Sequence, residues 1–249
     1  MTELQPVYYW YFLLVAVVCY FIGCFNFAVI LSRIKKDDIR KEGSGNPGTM
    51  NMTRTFGAKW GAITLACDVI KGGLPALIGW IIFRNYVFAG TDILVGDFVR
   101  YLCGVCVIIG HVFPVTMKFH GGKGIASTWG MFLFALPCDT WWYFFIALVL
   151  LVIAALYVVF FNFGSTGSLL GVSAMSIFQA VVFISRYMEE LTSGWVIGML
   201  LMILVINLLT WLAHHQNLWQ LCAGEEHKTI ITAHGSAGQE KKEQEASKQ

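Results

Sequence analysis

Seven apolar stretches run along the chain, at roughly 7–32, 59–83, 97–116, 125–138, 142–162, 168–186 and 194–212, divided by polar or glycine-rich breaks. A helix that crosses the hydrocarbon core of a bilayer needs ~20 mostly apolar residues. The pattern therefore predicts an all-α, polytopic membrane protein with seven transmembrane helices. The fourth stretch is short, which predicts a partial or strongly tilted span. The first run, Val7 to Leu31, is too long for the apolar core of a signal peptide, and Glu3 rather than a basic segment precedes it. It is expected to be a retained first span. Residues 1–227 are expected to form one membrane domain. The Gln/Glu/Lys-rich segment 228–249 is expected to be a disordered polar tail.

Composition agrees with this reading. The chain is 57% apolar and 13% charged, with a mean hydropathy of +0.66, whereas soluble domains carry roughly 25% charged residues. The net charge of +2 gives no reason to expect a nucleic-acid partner; where the charges sit is more informative. With the N-terminus outside, the inner side receives Arg33, Lys35, Lys36, Arg40, Lys41, Arg54, Lys59, Lys118, Lys123, Lys228, Lys241, Lys242 and Lys248, which is 13. The outer side receives Arg84, Arg100 and Arg186, which is 3, with Lys71 left out because it lies within a span. Cytoplasmic loops carry the excess of Lys and Arg, so the expected orientation is N-terminus outside and C-terminus cytoplasmic. Most of the seven cysteines fall in apolar runs and read as small hydrophobes.

On that topology the glycine-rich and polar clusters share the cytoplasmic side. The first is Gly43-Ser44-Gly45-Asn46-Pro47-Gly48-Thr49-Met50-Asn51, followed by Arg54. Glycine and proline exclude regular helix here, and irregular backbone beside a membrane needs its polar groups satisfied. Converging N–H groups and a following helix start can hold an anion, and Ser44, Asn46, Thr49 and Asn51 add side-chain donors. A plain loop between two helices explains the same composition.

The second cluster is Asp68 with Lys71, charged residues inside a span that default to a functional reading. At i and i+3 they share a helix face and can pair; Asp68 could also hold Lys123 or Arg54. The third runs from Gly110 and His111 through Pro114, expected to end or kink its helix, to Gly121-Gly122-Lys123-Gly124. Glycine after the lysine, where Ser or Thr would hold Mg²⁺, excludes a nucleotide-binding P-loop. His111, just inside the apolar run, reads as a structural histidine rather than a base. The fourth, Asn162 to Ser168, offers Ser165 and Ser168 to phosphate oxygens, although a helix end followed by a helix start explains both serines as well. The fifth, His214-His215-Gln216-Asn217, continues to Gly224-Glu225-Glu226 as a short interfacial segment. Adjacent helical histidines point about 100° apart and no carboxylate spacing completes a site, so neither a metal nor another cofactor is expected.

The motifs GSGNPGTMN (43–51), GHVFP…GGKGIAST (110–128) and HHQN…L…GEE (214–226) resemble the bacterial acyl-phosphate:glycerol-3-phosphate acyltransferases. Asp68…Lys71-Gly72 and the stretch 165–168 fall where that family has counterparts, and the likeness runs in order from about residue 15 to residue 228. The resemblance implies a seven-span enzyme of the bacterial inner membrane with a cytoplasm-facing site. Its substrates would be acyl phosphate and glycerol 3-phosphate, its products lysophosphatidate and phosphate, the first acylation of phospholipid synthesis. It implies catalytic contacts to the glycerol phosphate from Ser44, Arg54, Lys123, Asn217 and His214. Gly43, Gly45, Asn46, Gly48, Thr49, Asn51, Asp68, Lys71, Gly121, Gly122, Ser165 and Ser168 complete the expected substrate-binding set. Alignment on Asn217 and Leu221 puts Ala213 and Gln220 where the family usually has arginines, and Thr49-Met50 replaces the commoner Ala-Thr.

The chain has neither the HxxxxD pair of common glycerolipid acyltransferases nor a GxSxG nucleophile elbow. Acyl phosphate is already activated, so direct transfer without an acyl-enzyme is expected, carried by positioning and charge stabilisation. The alternatives are a transporter for a phosphorylated metabolite, or an acyltransferase that takes its acyl group from acyl-CoA or acyl carrier protein.

Overall fold

The first apolar run does not form one helix. It breaks at Phe25-Asn26 into α1 (Trp10–Cys24) and α2 (Phe27–Ile34). Asn26 caps α2 by accepting from Val29 N at 3.0 Å, a strong local stop signal. The computed structural model describes residues 1–223. Gly224, Glu225 and Glu226 of the last motif and the tail expected over 228–249 lie outside the described residues.

After a linker come α3 (Thr49–Phe56) and α4 (Ala58–Phe83), then α5 (Val95–Val112), α6 (Ile125–Ala135), α7 (Tyr143–Phe161), α8 (Gly164–Arg186), α9 (Gly194–Ala213) and α10 (His215–Cys222). Six stretches among the described residues are long and apolar enough to cross a membrane: Pro6–Ile34, Ala58–Phe83, Val95–Met117, Tyr143–Phe161, Gly164–Arg186 and Gly194–Ala213. The expected fourth span is shorter than these. At 1.5 Å per residue, the 11 residues of α6 reach about 16 Å, half of a typical hydrocarbon core.

α5 is the central helix, packed on α1, α4 and α9, while α6 lies mainly against α4. α4 and α6 meet backbone to backbone. A Cβ on Gly72 would stand 2.0 Å from Ser127 O, and one on Gly130 2.0 Å from Val69 O. Small residues drive such approaches where lipid leaves no hydrophobic force between helices. The large apolar side chains of α7, from Phe144 and Phe145 to Phe160 and Phe161, are mostly exposed, as on a lipid-facing helix.

The two ends of the bundle differ. One end carries the glycine-rich clusters. The other is closed by β1 (Thr2–Leu4) pairing in parallel with β2 (Tyr86–Phe88), over rings of Tyr9, Phe12, Phe98 and Trp195; Phe88 stacks on Trp195 at 3.8 Å between centroids. Beside them lies a buried charge network. Arg100 donates to Ala135 O and Asp139 Oδ1, each at 2.6 Å, and stands 3.1 Å from Asp97 Oδ1. Arg186 donates to Asp97 Oδ2 at 2.8 Å and Asp139 Oδ1 at 2.7 Å, and Tyr187 Oη donates to Asp97 Oδ2 at 2.7 Å. The network fastens the end of short α6 to α5 and α8, so α6 does not need to reach further.

Removing one partner of a buried ion pair leaves an uncompensated charge. Arg100→Met is therefore expected to cost about 3–5 kcal/mol, seen as a lowered Tm of the detergent-purified protein. Arg84→Met should change Tm little, because that guanidinium only overlies the Trp80 ring, 5.4 Å from its centroid.

Candidate active site

The break in the first run creates the site's framework. Two main-chain carbonyls beside it, those of Cys24 and Phe25, accept side-chain bonds. Thr116 Oγ1 donates to Cys24 O at 3.3 Å and Lys71 Nζ to Phe25 O at 2.8 Å. Lys71 also pairs with Asp68 Oδ1 at 2.9 Å. Both charged residues are buried, 5% and 2% exposed. The structure thus joins Asp68 to Lys71 as the spacing predicts, and commits the ammonium to holding the broken helix. Asp68 faces His111, with Nδ1 3.9 Å from Oδ1, rather than Lys123 or Arg54.

The 43–51 segment is a staple built on Asn51. Its side chain donates to Ile39 O at 3.1 Å and Glu42 O at 2.9 Å, and accepts from Ser44 N at 3.1 Å. Gly43 has φ +55°, and a Cβ there would stand 2.3 Å from Asn51 Oδ1, so both backbone and space call for glycine. Asn51 therefore holds the loop together from inside. The amides of Ser44, Gly45 and Gly48 also close internal bonds, the last two to Glu42 O and Asn46 O. Donors remain at the start of α3, whose N-cap Gly48 provides no side-chain bond; Thr49 Oγ1 there is buried without a partner among the described residues. Ser44 and Arg54 are exposed on this segment.

The second glycine loop is held in a related way. Helix α5 ends at Val112, before Pro114, as the sequence predicts. Gly121 N donates to Val112 O at 3.0 Å and Gly122 N to His111 O at 3.1 Å. These two amides, expected to face an anion, instead satisfy the last carbonyls of α5. The uncapped amides lie one step on, at the start of α6 after Gly124. Lys123, half-buried, donates from Nζ to Asn217 Oδ1 on α10. Helix α8 starts after Phe163, whose own side chain provides no cap bond. Ser165 and Ser168 lie in its first turns, half-buried, and Asn162 ends α7 in the left-handed conformation at φ +61°.

His214 closes the circle. It is 3% exposed, and Nδ1 lies 2.8 Å from Thr210 O. A carbonyl only accepts, so Nδ1 carries the proton and Nε2 of the neutral ring is an acceptor. Burial pushes the ring's pKa down to about 4; nearby Lys123 lowers it further, and the Thr210 bond opposes the shift. His215 points outward, bonded to Leu212 O at 2.8 Å.

Motif one touches motif two, because a Cβ on Gly122 would stand 3.2 Å from Pro47 O. Motif two touches motif three through Lys123 and Asn217, and α10 packs on α8 and α9. Sequence reasoning missed Asn26, whose Nδ2 donates to Pro47 O at 3.1 Å. It also missed Tyr20, whose hydroxyl donates to Phe113 O at 3.0 Å and accepts from Val115 N at 3.1 Å. Lone Asn26 between two phenylalanines was the available signal for the first; a tyrosine in an apolar helix gives none.

Converging glycine loops, buried Lys71 and half-buried Lys123 at one end of a lipid-exposed bundle mark a multi-pass membrane protein with an anion-compatible end. The family model for glycerol-3-phosphate acyltransferase matches residues 13–224, and the chain belongs to that family. A glycerol-3-phosphate acyltransferase of Finegoldia magna is 34% identical over 88% of this chain and 97% of its own length. The crystal structure of PlsY (YgiH), an integral membrane glycerol 3-phosphate acyltransferase, in its glycerol 3-phosphate form has a TM-score of 0.70 at 27% identity, covering 88% of this chain and 95% of that one. The lysophosphatidic acid form of the same enzyme gives 0.69.

Asn51→Asp keeps the acceptor for Ser44 but turns a carboxylate toward two carbonyls. It is expected to open the segment and speed tryptic cleavage after Arg40 and Lys41, measured on the purified protein against Asn51→Ser as the milder change. His214 gives a pH signature. Its folded pKa, about 4, lies below the ordinary 6.5, so between those values the unfolded chain binds the extra proton and stability falls as pH falls. Lowering pH from 7 to 5 should cost about 2 kcal/mol through this group; His214→Gln should show a correspondingly smaller drop in Tm over that interval.

Proposed function

We propose that the protein transfers a fatty acyl group from acyl phosphate to the 1-hydroxyl of sn-glycerol 3-phosphate, giving lysophosphatidate and inorganic phosphate. The observation that carries this reading is the junction itself. Pro47, Gly122, Lys123 and Asn217 bring three separate motifs together at one end of the bundle, in a chain of the glycerol-3-phosphate acyltransferase family. Both substrates carry phosphate, and two anions meeting at one place repel. Lys123, Arg54 and the uncapped starts of α3 and α6 offset that repulsion. Ser44, Asn217 and His214 complete the contacts to the glycerol phosphate. The acyl chain lies in the bilayer and enters laterally.

The reaction is a direct displacement. The glycerol oxygen attacks the acyl carbonyl carbon, a C–O ester bond forms, and the C–O bond to phosphate breaks. The hydroxyl proton passes to a phosphate oxygen of the substrates, and the departing phosphate takes the bonding pair. Lys123 and main-chain amides stabilise the oxyanion and the leaving group. No protein nucleophile is required, because the donor is already a mixed anhydride.

The orientation that suits this chemistry puts the N-terminus outside and the C-terminus and site in the cytoplasm of a bacterial cell, at its inner membrane. Helix α6 then counts as a crossing, the fourth in order, which brings the number to seven. Against a transporter stands the far end, closed by the Phe88–Trp195 stack and the Asp97–Arg100–Asp139–Arg186 network, which leaves a carried metabolite no evident exit.

The test is product formation by protein purified in detergent. With acyl phosphate and glycerol 3-phosphate it should form lysophosphatidate and one equivalent of phosphate, and acyl-CoA should not replace acyl phosphate. Lys123→Ala should lower kcat/KM by about 10²–10³ while the protein still purifies folded. Equal use of acyl-CoA, or a trapped acyl-enzyme, would refute the donor or the direct route respectively.

A further inference from the structure

The chemistry proposed above leaves one buried histidine without a task. His111 sits in the last turn of α5, 4% exposed. Its two ring nitrogens face different parts of the site. Nδ1 is buried without a hydrogen bond and lies 3.9 Å from Asp68 Oδ1, itself paired to Lys71. The opposite edge of the ring abuts Gly122. A Cβ there would stand 2.4 Å from Nε2 and 3.1 Å from Cε1, with Pro47 O on its other side at 3.2 Å. The His111 carbonyl grips the same residue, accepting from Gly122 N at 3.1 Å. Gly122 is thus sandwiched between the imidazole and the Gly43–Gly48 loop. Lys123, which reaches Asn217, is the next residue.

We propose that His111 is a positioning residue for acyl transfer. Its ring, propped from behind by Asp68, is the spacer that sets how closely the loop carrying Lys123 approaches the Gly43–Gly48 loop. It acts through Gly122 and touches neither substrate. Lys71 and Asp68 extend the same support back to Phe25 O at the helix break, so one chain of contacts fixes both loops. This rests on the acyltransferase reading. Its physical basis is that a binding constellation loses function when its parts shift by about 1 Å.

The test is a four-protein cycle: wild type, His111→Ala, Gly122→Ala and the double variant. Gly122→Ala drives a methyl into the ring and should raise KM for glycerol 3-phosphate about tenfold, with kcat within about threefold. His111→Ala removes the spacer and should act similarly. In the double variant the methyl occupies the space the ring vacated. KM should then return to within about threefold of wild type, a strongly non-additive result. Effects that multiply to about a hundredfold would overturn the proposal. A second pair of variants covers a His111→Ala that fails to fold. Gln reaches the position of Nε2 whereas Asn reaches only that of Nδ1, so His111→Gln should stay close to wild type and His111→Asn should not. The reverse order would overturn the spacer role in favour of the Asp68 contact alone.

Tryptic cleavage after Lys118 and Lys123, measured on the same proteins, reads the seating of the loop without turnover. Cleavage should speed up in each single variant and return toward wild type in the double; equal acceleration in single and double variants would also overturn the proposal. A wild type that forms no lysophosphatidate defeats the acyltransferase reading, and the cleavage cycle still decides the spacer.

Discussion

Breaking a helix inside an apolar bundle frees carbonyls that lipid cannot satisfy. The arrangement at the motif end follows from how this chain meets that constraint at Phe25. The carbonyl accepts from Lys71, and a buried ammonium in turn needs a counter-charge, which Asp68 supplies one turn earlier on α4. The break also turns Asn26 toward Pro47, which joins the first glycine loop to the transmembrane framework. With Asp68 fixed against α4 and facing His111, the end of α5 is fixed too, and the second glycine loop hangs from its last carbonyls. One unsatisfied main-chain group thus accounts for a lysine and an aspartate in otherwise apolar surroundings, and the helix start beside it for an asparagine.

The two ends of the bundle divide the work. At the far end Asp97, Arg100, Asp139 and Arg186 pair with one another, beside the stack of Phe88 on Trp195. At the motif end the N-cap residues of α3 and α6 provide no side-chain bond, and Arg54 has no ion pair among the described residues. An uncapped N-terminus retains its partial positive charge and its free amides. Such an end is costly unless an anion or water completes it, which fits the two phosphate-bearing substrates proposed above. The short α6 belongs to both ends. Its start follows Lys123, and its last turn is clamped by Arg100, so the loop carrying Lys123 is anchored from the far end as well.

Much of this was legible in the chain, and the rest has identifiable physical reasons for being hidden. The long helices lie where hydrophobic length puts them, because length and apolarity are local properties. The Asp68–Lys71 pair follows from i, i+3 spacing. The break at Asn26 was hidden because one polar residue barely changes the hydropathy of a 29-residue stretch; only its capping geometry reveals it. The glycine loops were recognisable as special, but not the direction of their amides. Gly121 and Gly122 turn toward α5 because that helix ends before Pro114 with carbonyls to satisfy, a consequence of tertiary contact. For the same reason Asn51, legible as a donor, faces inward. Motif three was legible by its likeness to the family, while the burial that separates His214 from His215 required the fold.

The neutral state of His214 sharpens the electrostatics of the proposed reaction. With Nδ1–H committed to Thr210, the ring offers an acceptor and no positive charge near neutral pH. Ala213 and Gln220 occupy positions where the resemblance places arginines. Balancing two phosphates therefore falls on Lys123, Arg54 and the helix starts. An ammonium is a compact point charge that can follow the phosphate from ground state to leaving group, whereas a guanidinium fork fixes one geometry. Lys123 Nζ donates to the amide oxygen of Asn217 on α10. That contact aims the ammonium across the junction between the second and third motifs, where the proposed substrates would meet.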